Sequence, residues 1–309
     1  MMYNIDKLYE SVAKEGAVCV GLDTSPSYVP SSMVKNAGSG AAAVLDYNKA
    51  VIDATFDVCA CYKAQIAYYE ALGFEGLSAY AETLRYIRKK NGLVIADIKR
   101  GDIADTAQQY ALAHFAGEFE ADFVTLSPYM GVDSLEPWLR YAESAGKGAF
   151  ALMRTSNKGM RDFEYRELKD GGRLYHAVGD KLSALAADHM GVYGYGAFGA
   201  VVGCTEREEA VEIRRKYANL FFLIPGYGAQ GGAAEDAAAL LQNGNGGVVN
   251  ASRSILKAWI AVAEAAGDVS AYQMDNRKAA KFAAESAYNE AVKMRDAIKN
   301  AVESKKGTQ

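Results

Sequence analysis

The sequence predicts an α/β fold: a single (β/α)8 barrel, the TIM-barrel architecture, with extra helices at its N- and C-terminal ends. Three observations carry this reading. Eight short runs rich in Val, Ile, Phe and Ala alternate with amphipathic segments, the pattern of a parallel sheet wrapped by helices. The runs are almost continuously apolar, as expected of strands covered on both faces. A chain of 309 residues suits one closed barrel spanning 1–309, and eight such units favour closure over an open sheet.

The elements follow in order. The first strand is expected at 17–22, before a long connection, 23–41, that carries Pro26, Pro30, Gly38 and Gly40. An amphipathic helix at 42–57 leads to a second strand at 58–63, and a helix at 76–91 to a third at 93–98. Helix 106–119 precedes strand 122–127, and helix 134–144 precedes strand 149–154. A second long connection, 155–174, is charged and contains glycine. Helix 175–189, strand 200–203, helix 206–217, strand 220–224, helix 233–242 and strand 247–250 complete the eight units. From Tyr272 a polar-faced helix is expected, fraying at SKKGTQ within 272–309. Both long connections would emerge at the C-terminal face of the barrel, where active sites of this architecture lie.

Composition narrows the function. Net charge is −4, without runs of like charge, so neither nucleic acid nor a membrane surface is an expected partner. No apolar stretch approaches the ~18 residues of a membrane span. The opening MMYNIDKLYESVAKEG is charged and helical in pattern, unlike a signal peptide. Cys19, Cys59, Cys61 and Cys204 sit singly in apolar runs, as buried reduced cysteines of a cytoplasmic protein would. His114, His176 and His189 lack metal-ligand spacing, and no metal site is expected.

The stretch VIADIKRGDIADT, 94–106, places Asp97, Lys99 and Asp102 at the end of the third strand. Alternation puts Asp97 and Lys99 on one face. If the strand ends near Ile98, that face is the barrel mouth, with Asp102 beyond the Arg100–Gly101 bend. Lys63 ends the second strand in phase with Cys59 and Cys61, and Asp23 follows the first in phase with Cys19 and Gly21. Charges at three successive strand ends fit a solvated rim of salt bridges, or an inward cluster that must pair internally. Two carboxylates flanking Lys99 would keep it charged, a proton donor preorganised among acids.

Two segments match G-x-G-x-x-G, at 194–199 and 226–231. The first precedes a strand and reads as a turn. The second follows the seventh strand and opens a helix at Ala233, but the region about 20 residues on reads GVVNAS and lacks the acid of a dinucleotide fold. In a barrel the loops after strands seven and eight commonly bind phosphate. Gly226, Gly228, Gly231 and Gly232 would let the backbone approach an anion, Gln230 adds a donor, and Arg253 can grip phosphate with a bidentate fork.

VIADIKRGDIADT closely resembles the signature of the orotidine 5′-monophosphate decarboxylases. VGLDTSP, CYKAQIAYYEALG, RTSNKG, VVGCTE, LIPGYGAQGG and VNASRSIL resemble the longer-chain (type 2) subfamily, in the same order. The resemblance implies a carboxy-lyase that converts orotidine 5′-monophosphate to uridine 5′-monophosphate and CO2 in pyrimidine biosynthesis, with no cofactor. It implies that Lys63, Asp97, Lys99 and Asp102 form the charged catalytic network, with Lys99 as proton donor to C6. It implies a homodimer in which Asp102 and Thr106 reach the neighbouring site. Asp23 would bond the ribose region, and Ser156, with Thr155 beside it, would recognise the pyrimidine. Related phosphosugar barrels share the D-x-K-x-x-D core, but they place an acid where this chain has Lys63, which would repel their magnesium ion.

Overall fold

Each of the eight apolar runs forms a strand, because both of its faces find apolar cover: barrel interior on one side and helices on the other. The computed structural model describes residues 2–169, 171–228, 231–267 and 274–306. The strands are β1 (Val18–Gly21), β2 (Cys61–Gln65), β3 (Val94–Arg100), β4 (Phe123–Leu126), β5 (Gly148–Arg154), β6 (Phe198–Val202), β7 (Phe222–Ile224) and β8 (Gly247–Ala251). They pair in parallel, in chain order, and β8 returns to β1 to close the barrel. Closure leaves no free sheet edge. Phe123, Phe150, Phe198 and Tyr62 are among the largest fully buried side chains.

Several boundaries differ from those expected. β2 begins at Cys61 rather than near residue 58, because Phe56–Val58 continues the preceding helix as a 3-10 turn. Lys63 is therefore the third residue of its strand, not the last, and Cys59 lies outside it. Asp23 lies two residues beyond the end of β1. β3 runs to Arg100, two residues further than expected. The connection 23–41 holds a 3-10 turn, Pro26–Tyr28, and a helix, Ser31–Ala37. The connection 155–174 contains the short helix Met160–Phe163 and a bridge between Glu167 and Arg173.

The two ends of the barrel are treated differently. Helix Asn4–Glu15 covers the N-terminal end. Its Asn4 amide nitrogen lies 3.4 Å from the Asp122 carbonyl, Ser11 donates to the Ala60 carbonyl at 2.8 Å, and the Tyr9 carbonyl accepts from Asn245 at 3.0 Å. These partners all sit just before strands, so this end is sealed and the opposite mouth stays open. Helix Asn276–Lys306 buries Ala279, Ala283, Ala287 and Ala291 at a spacing of one helical turn. The small stripe lets it lie close against helices Gly40–Thr55 and Ala234–Ala239. Among the described residues no helix is long and apolar enough to cross a membrane.

Two irregularities interrupt the ladders, both toward the open mouth. Between β3 and β4 the register moves from Ala96↔Val124 to Arg100↔Leu126. Four steps on β3 face two on β4, so β3 bulges by two residues around Asp97, Ile98 and Lys99. Between β5 and β6 it moves from Leu152↔Val201 to Arg154↔Val202, a one-residue bulge just before Thr155 and Ser156. Bulges of this kind re-aim side chains.

Candidate active site

The open mouth gathers an alternating chain of charges. Lys63 Nζ donates to Asp23 Oδ1 at 3.1 Å and to Asp97 Oδ2 at 2.9 Å. The other oxygen of Asp97, Oδ1, accepts from Lys99 Nζ at 2.5 Å. The sequence placed two carboxylates around Lys99; the structure places them around Lys63. Regular alternation is not what joins Asp97 to Lys99 either. Lys99 sits in the bulge with a left-handed φ of 45°, and it returns to Asp97 from there.

The two lysines occupy different environments. Lys63 exposes 6% of its side chain and Lys99 46%. Burial acts to lower the pKa of Lys63, but the Asp23 and Asp97 carboxylates outweigh it and raise it well above the ordinary lysine value. Burial likewise opposes ionisation of Asp97, and Lys63 and Lys99 overcome it, holding the carboxyl below the usual range. Each opposite-sign contact is worth roughly 4 kcal/mol at ~4 Å and an effective dielectric near 20, before desolvation. The Lys63–Asp97 pair is thus held charged, with Lys63 locked between two carboxylates and Lys99 open to the mouth.

Residues not anticipated from the sequence hold this chain in place. Thr125 of β4 donates its hydroxyl to Asp97 Oδ1 at 2.8 Å and accepts from the backbone N–H groups of Ile98 and Lys99, each at 3.0 Å. Ser252, after β8, donates to Asp23 Oδ2 at 2.8 Å, with Asn250 Nδ2 3.5 Å from the serine oxygen. On either side of Asp23, the Leu22 carbonyl accepts from the Tyr69 hydroxyl at 2.9 Å and the Thr24 hydroxyl donates to Asn48 at 2.7 Å. A lone Thr or Ser in an apolar run carries no signal of such a role.

A cavity of about 240 Å³ opens over the cluster. Lys63, Asp97, Lys99 and Thr125 form one wall; Leu152, Val201, Leu223 and Pro225 form the other. Thr155, Ser156 and Asn157, from the loop after β5, and Asn250 of β8 complete the lining. Thr155 is committed to its own loop: its amide donates to Glu164 Oε2 at 2.8 Å and its hydroxyl lies 2.7 Å from Glu164 Oε1. A wall of charges opposite an apolar wall suits a flat ring whose reacting atom faces the charges. Among the described residues no group of three or more His, Cys, Asp or Glu side chains is arranged to hold a metal ion.

Other expected residues are not brought into the cluster within this chain. Asp102 Oδ1 accepts from the Ile103 N–H at 2.9 Å, and among the described residues Asp102 forms no ion pair. Thr106 is exposed in helix Ala104–Phe115. Gly228 and Gly231 adopt left-handed φ of 66° and 94°, but their N–H groups close on the loop itself, onto Gly232 and Gly228 carbonyls at 2.9 Å each. Ala233, expected to open an anion-binding helix, donates to the Asp236 carboxylate at 2.9 Å. That helix is only Ala234–Ala239, and its own acid occupies its N-terminus. Arg253 is exposed immediately after Ser252. Gln230 lies outside the described residues.

The family profile described as the orotidine 5′-phosphate decarboxylase / HUMPS family matches residues 16–268. A protein of Clostridium perfringens (strain SM101 / Type A) named orotidine 5′-phosphate decarboxylase is 54% identical over 297 residues, covering 96% of this chain and 98% of the relative. One of the same name from Clostridium kluyveri is 57% identical over 255 residues, 82% of this chain and 88% of the relative. The structure of Leishmania donovani OMP decarboxylase superposes with a TM-score of 0.70 at 33% identity, covering 96% of this chain and all of that one, 100%. Leishmania donovani UMP synthase gives a TM-score of 0.70 at 34% identity, with 94% of this chain spanning 57% of that one.

Proposed function

The chain belongs to the orotidine 5′-phosphate decarboxylase / HUMPS family, and we infer from that premise that it converts orotidine 5′-monophosphate to uridine 5′-monophosphate and CO2, acting as a carboxy-lyase in pyrimidine biosynthesis. The observation that carries the mechanism is the unequal pair of lysines on Asp97. Lys63 is buried and clamped by two carboxylates, so it holds Asp97 in place. Lys99 has one carboxylate partner and an exposed ammonium at the cavity wall, so it is the group free to deliver a proton.

Loss of CO2 breaks the bond from C6 to the carboxyl carbon and leaves the electron pair on C6. The ring delocalises that pair poorly, so a fixed cation beside it is worth most as the charge develops. Lys99 then gives a proton to C6, completing the product, and regains one from water. The charge wall fits the reacting edge of the ring, the apolar wall its flat face, and Ser156 a polar edge of the base. Asp23 fits the ribose. The glycine loop and Arg253 would take the phosphate, with Gln230 as a further donor, once the Gly228 and Gly231 N–H groups, which close on the loop itself, open to the anion. Phosphate binding, remote from the chemistry, would then supply energy to close the loops.

The catalytic unit on this reading is the single barrel domain, working without a cofactor. Buried, unpaired thiols at all four cysteines fit a cytoplasmic setting. Its assembly is a homodimer in which Asp102 and Thr106 serve the neighbouring site. In support, Ile103, Tyr129 and Met130 are exposed apolar side chains in the loops after β3 and β4, and Leu112 is exposed on the helix that follows β3, a surface that a second copy would cover.

The test is loss of orotate-ring absorbance when the protein meets orotidine 5′-monophosphate, with and without EDTA. Turnover indifferent to EDTA is expected. Lys99→Ala should lower kcat at least about 10³-fold, the combined scale of a lost proton donor and a lost electrostatic partner, with the fold intact by circular dichroism. Near-normal turnover in that variant would overturn the assignment of Lys99.

A further inference from the structure

We propose that Thr125 is a positioning residue for the reaction, setting through one hydroxyl both the backbone of Lys99 and the carboxylate of Asp97; this rests on the decarboxylase reading above. A hydroxyl has one hydrogen to donate and two lone pairs to accept with. Thr125 spends all three here: it donates to Asp97 Oδ1 and accepts from the N–H groups of Ile98 and Lys99. Those two N–H groups belong to the β3 bulge, whose two extra residues have no partners across the ladder at this point. An unpaired N–H beside buried Ile98 would be costly.

The consequence for Lys99 is direct. Its φ of 45° is a conformation that a residue with a side chain adopts only where the surroundings over-determine it. Accepting from consecutive N–H groups fixes the peptide between Ile98 and Lys99, and with it the direction in which the lysine leaves the strand. The same hydroxyl shares Asp97 Oδ1 with Lys99 Nζ. Remove it, and the ammonium loses the geometry of its stem and part of the anchor of its anion together.

The β4 side chain is thus a fixed point from which the proton donor is aimed. Thr125 lies in the cavity wall, but its polar capacity is already used, so it acts on the reaction through Lys99 and Asp97 and not by holding substrate. That separates it from a binding residue in the kinetics.

The experiment compares Thr125→Val, which keeps the shape and loses the hydroxyl, with Thr125→Ser, which keeps the hydroxyl. Thr125→Ala serves as a second hydroxyl-free variant should valine disturb the strand. kcat, KM, uridine 5′-monophosphate affinity and Tm are measured for each. Valine and alanine should lower kcat about 100-fold, the scale of a reacting group misplaced by ~1 Å, while KM and product affinity stay within about threefold. Serine should restore kcat to within about threefold of wild type. Equal impairment of serine and valine, a valine variant with wild-type kcat, or losses shared by KM and product affinity would overturn the proposal. If the wild-type protein binds the nucleotide without turning it over, the decarboxylase reading itself fails and this inference falls with it.

Discussion

At the scale of single residues the site depends on where side chains are absent as much as where they are present. A Cβ on Gly21 would lie 1.9 Å from Ser252 Oγ and 2.9 Å from its Cβ. Ser252 needs that space to reach Asp23. Serine is too short to swing aside and keep the bond, so Gly21→Ala should displace it. Overpacking of this kind costs about 1–3 kcal/mol, and Asp23, left with Lys63 alone, should also bind nucleotide less well. Adding Ser252→Gly to Gly21→Ala removes the clash with Ser252 without restoring the bond, leaving only the tight contact with Asn250 Oδ1 at 3.0 Å. The pair should therefore recover most of the lost stability in urea unfolding but not the lost affinity. Strictly additive stability losses in the double variant would show that the two residues do not meet.

At the scale of elements, the strands were legible because a strand buried on both faces reads as an unbroken apolar run. Lys63 and Asp97 stood out for the same reason, as charges within such runs. The β3 bulge was not legible: it exists only as a mismatch between two strands, and each strand alone looks regular. Alternation therefore joined Lys99 to Asp97 for the wrong reason, and Thr125 stayed hidden. Helix Ala104–Phe115, which follows this bulge, buries His114 against Phe119 with ring centroids 5.7 Å apart. Burial, with the nearby Arg100 charge adding to it, lowers its pKa from 6.5 to about 4. The folded value lies below the unfolded one, so between these values the unfolded chain binds more protons. Stability from this group is complete above pH 6.5 and is lost as pH falls toward 4, by about 3 kcal/mol in all. His114→Phe should therefore flatten the fall in unfolding free energy between pH 7 and pH 4.5 by about 2–3 kcal/mol. Comparing two pH values within each protein cancels any packing cost of phenylalanine. A slope equal to that of wild type would place the acid sensitivity elsewhere.

At the scale of the whole molecule, one chain assembles Asp23, Lys63, Asp97 and Lys99 but leaves Asp102 turned onto its own backbone. In the proposed homodimer each mouth is completed by Asp102 from the other copy. This arrangement can be tested by mixing subunits. Lys99→Ala lacks the proton donor, and Asp102→Asn lacks the acid offered to the neighbour; each homodimer should be nearly inactive. In a mixed dimer, one site combines Lys99 of the Asp102→Asn chain with Asp102 of the Lys99→Ala chain, and is intact. The other site carries both lesions. Random reassortment of equal amounts makes half the dimers mixed, so activity should rise to about a quarter of wild type per site, following from the exchange of equivalent surfaces in a two-fold dimer. Unfolding and refolding the mixture ensures exchange, and the separately refolded variants set the baseline. If Asp102 instead served the site of its own chain, every site in the mixture would carry at least one lesion. Activity would then stay at the baseline however completely the chains exchanged.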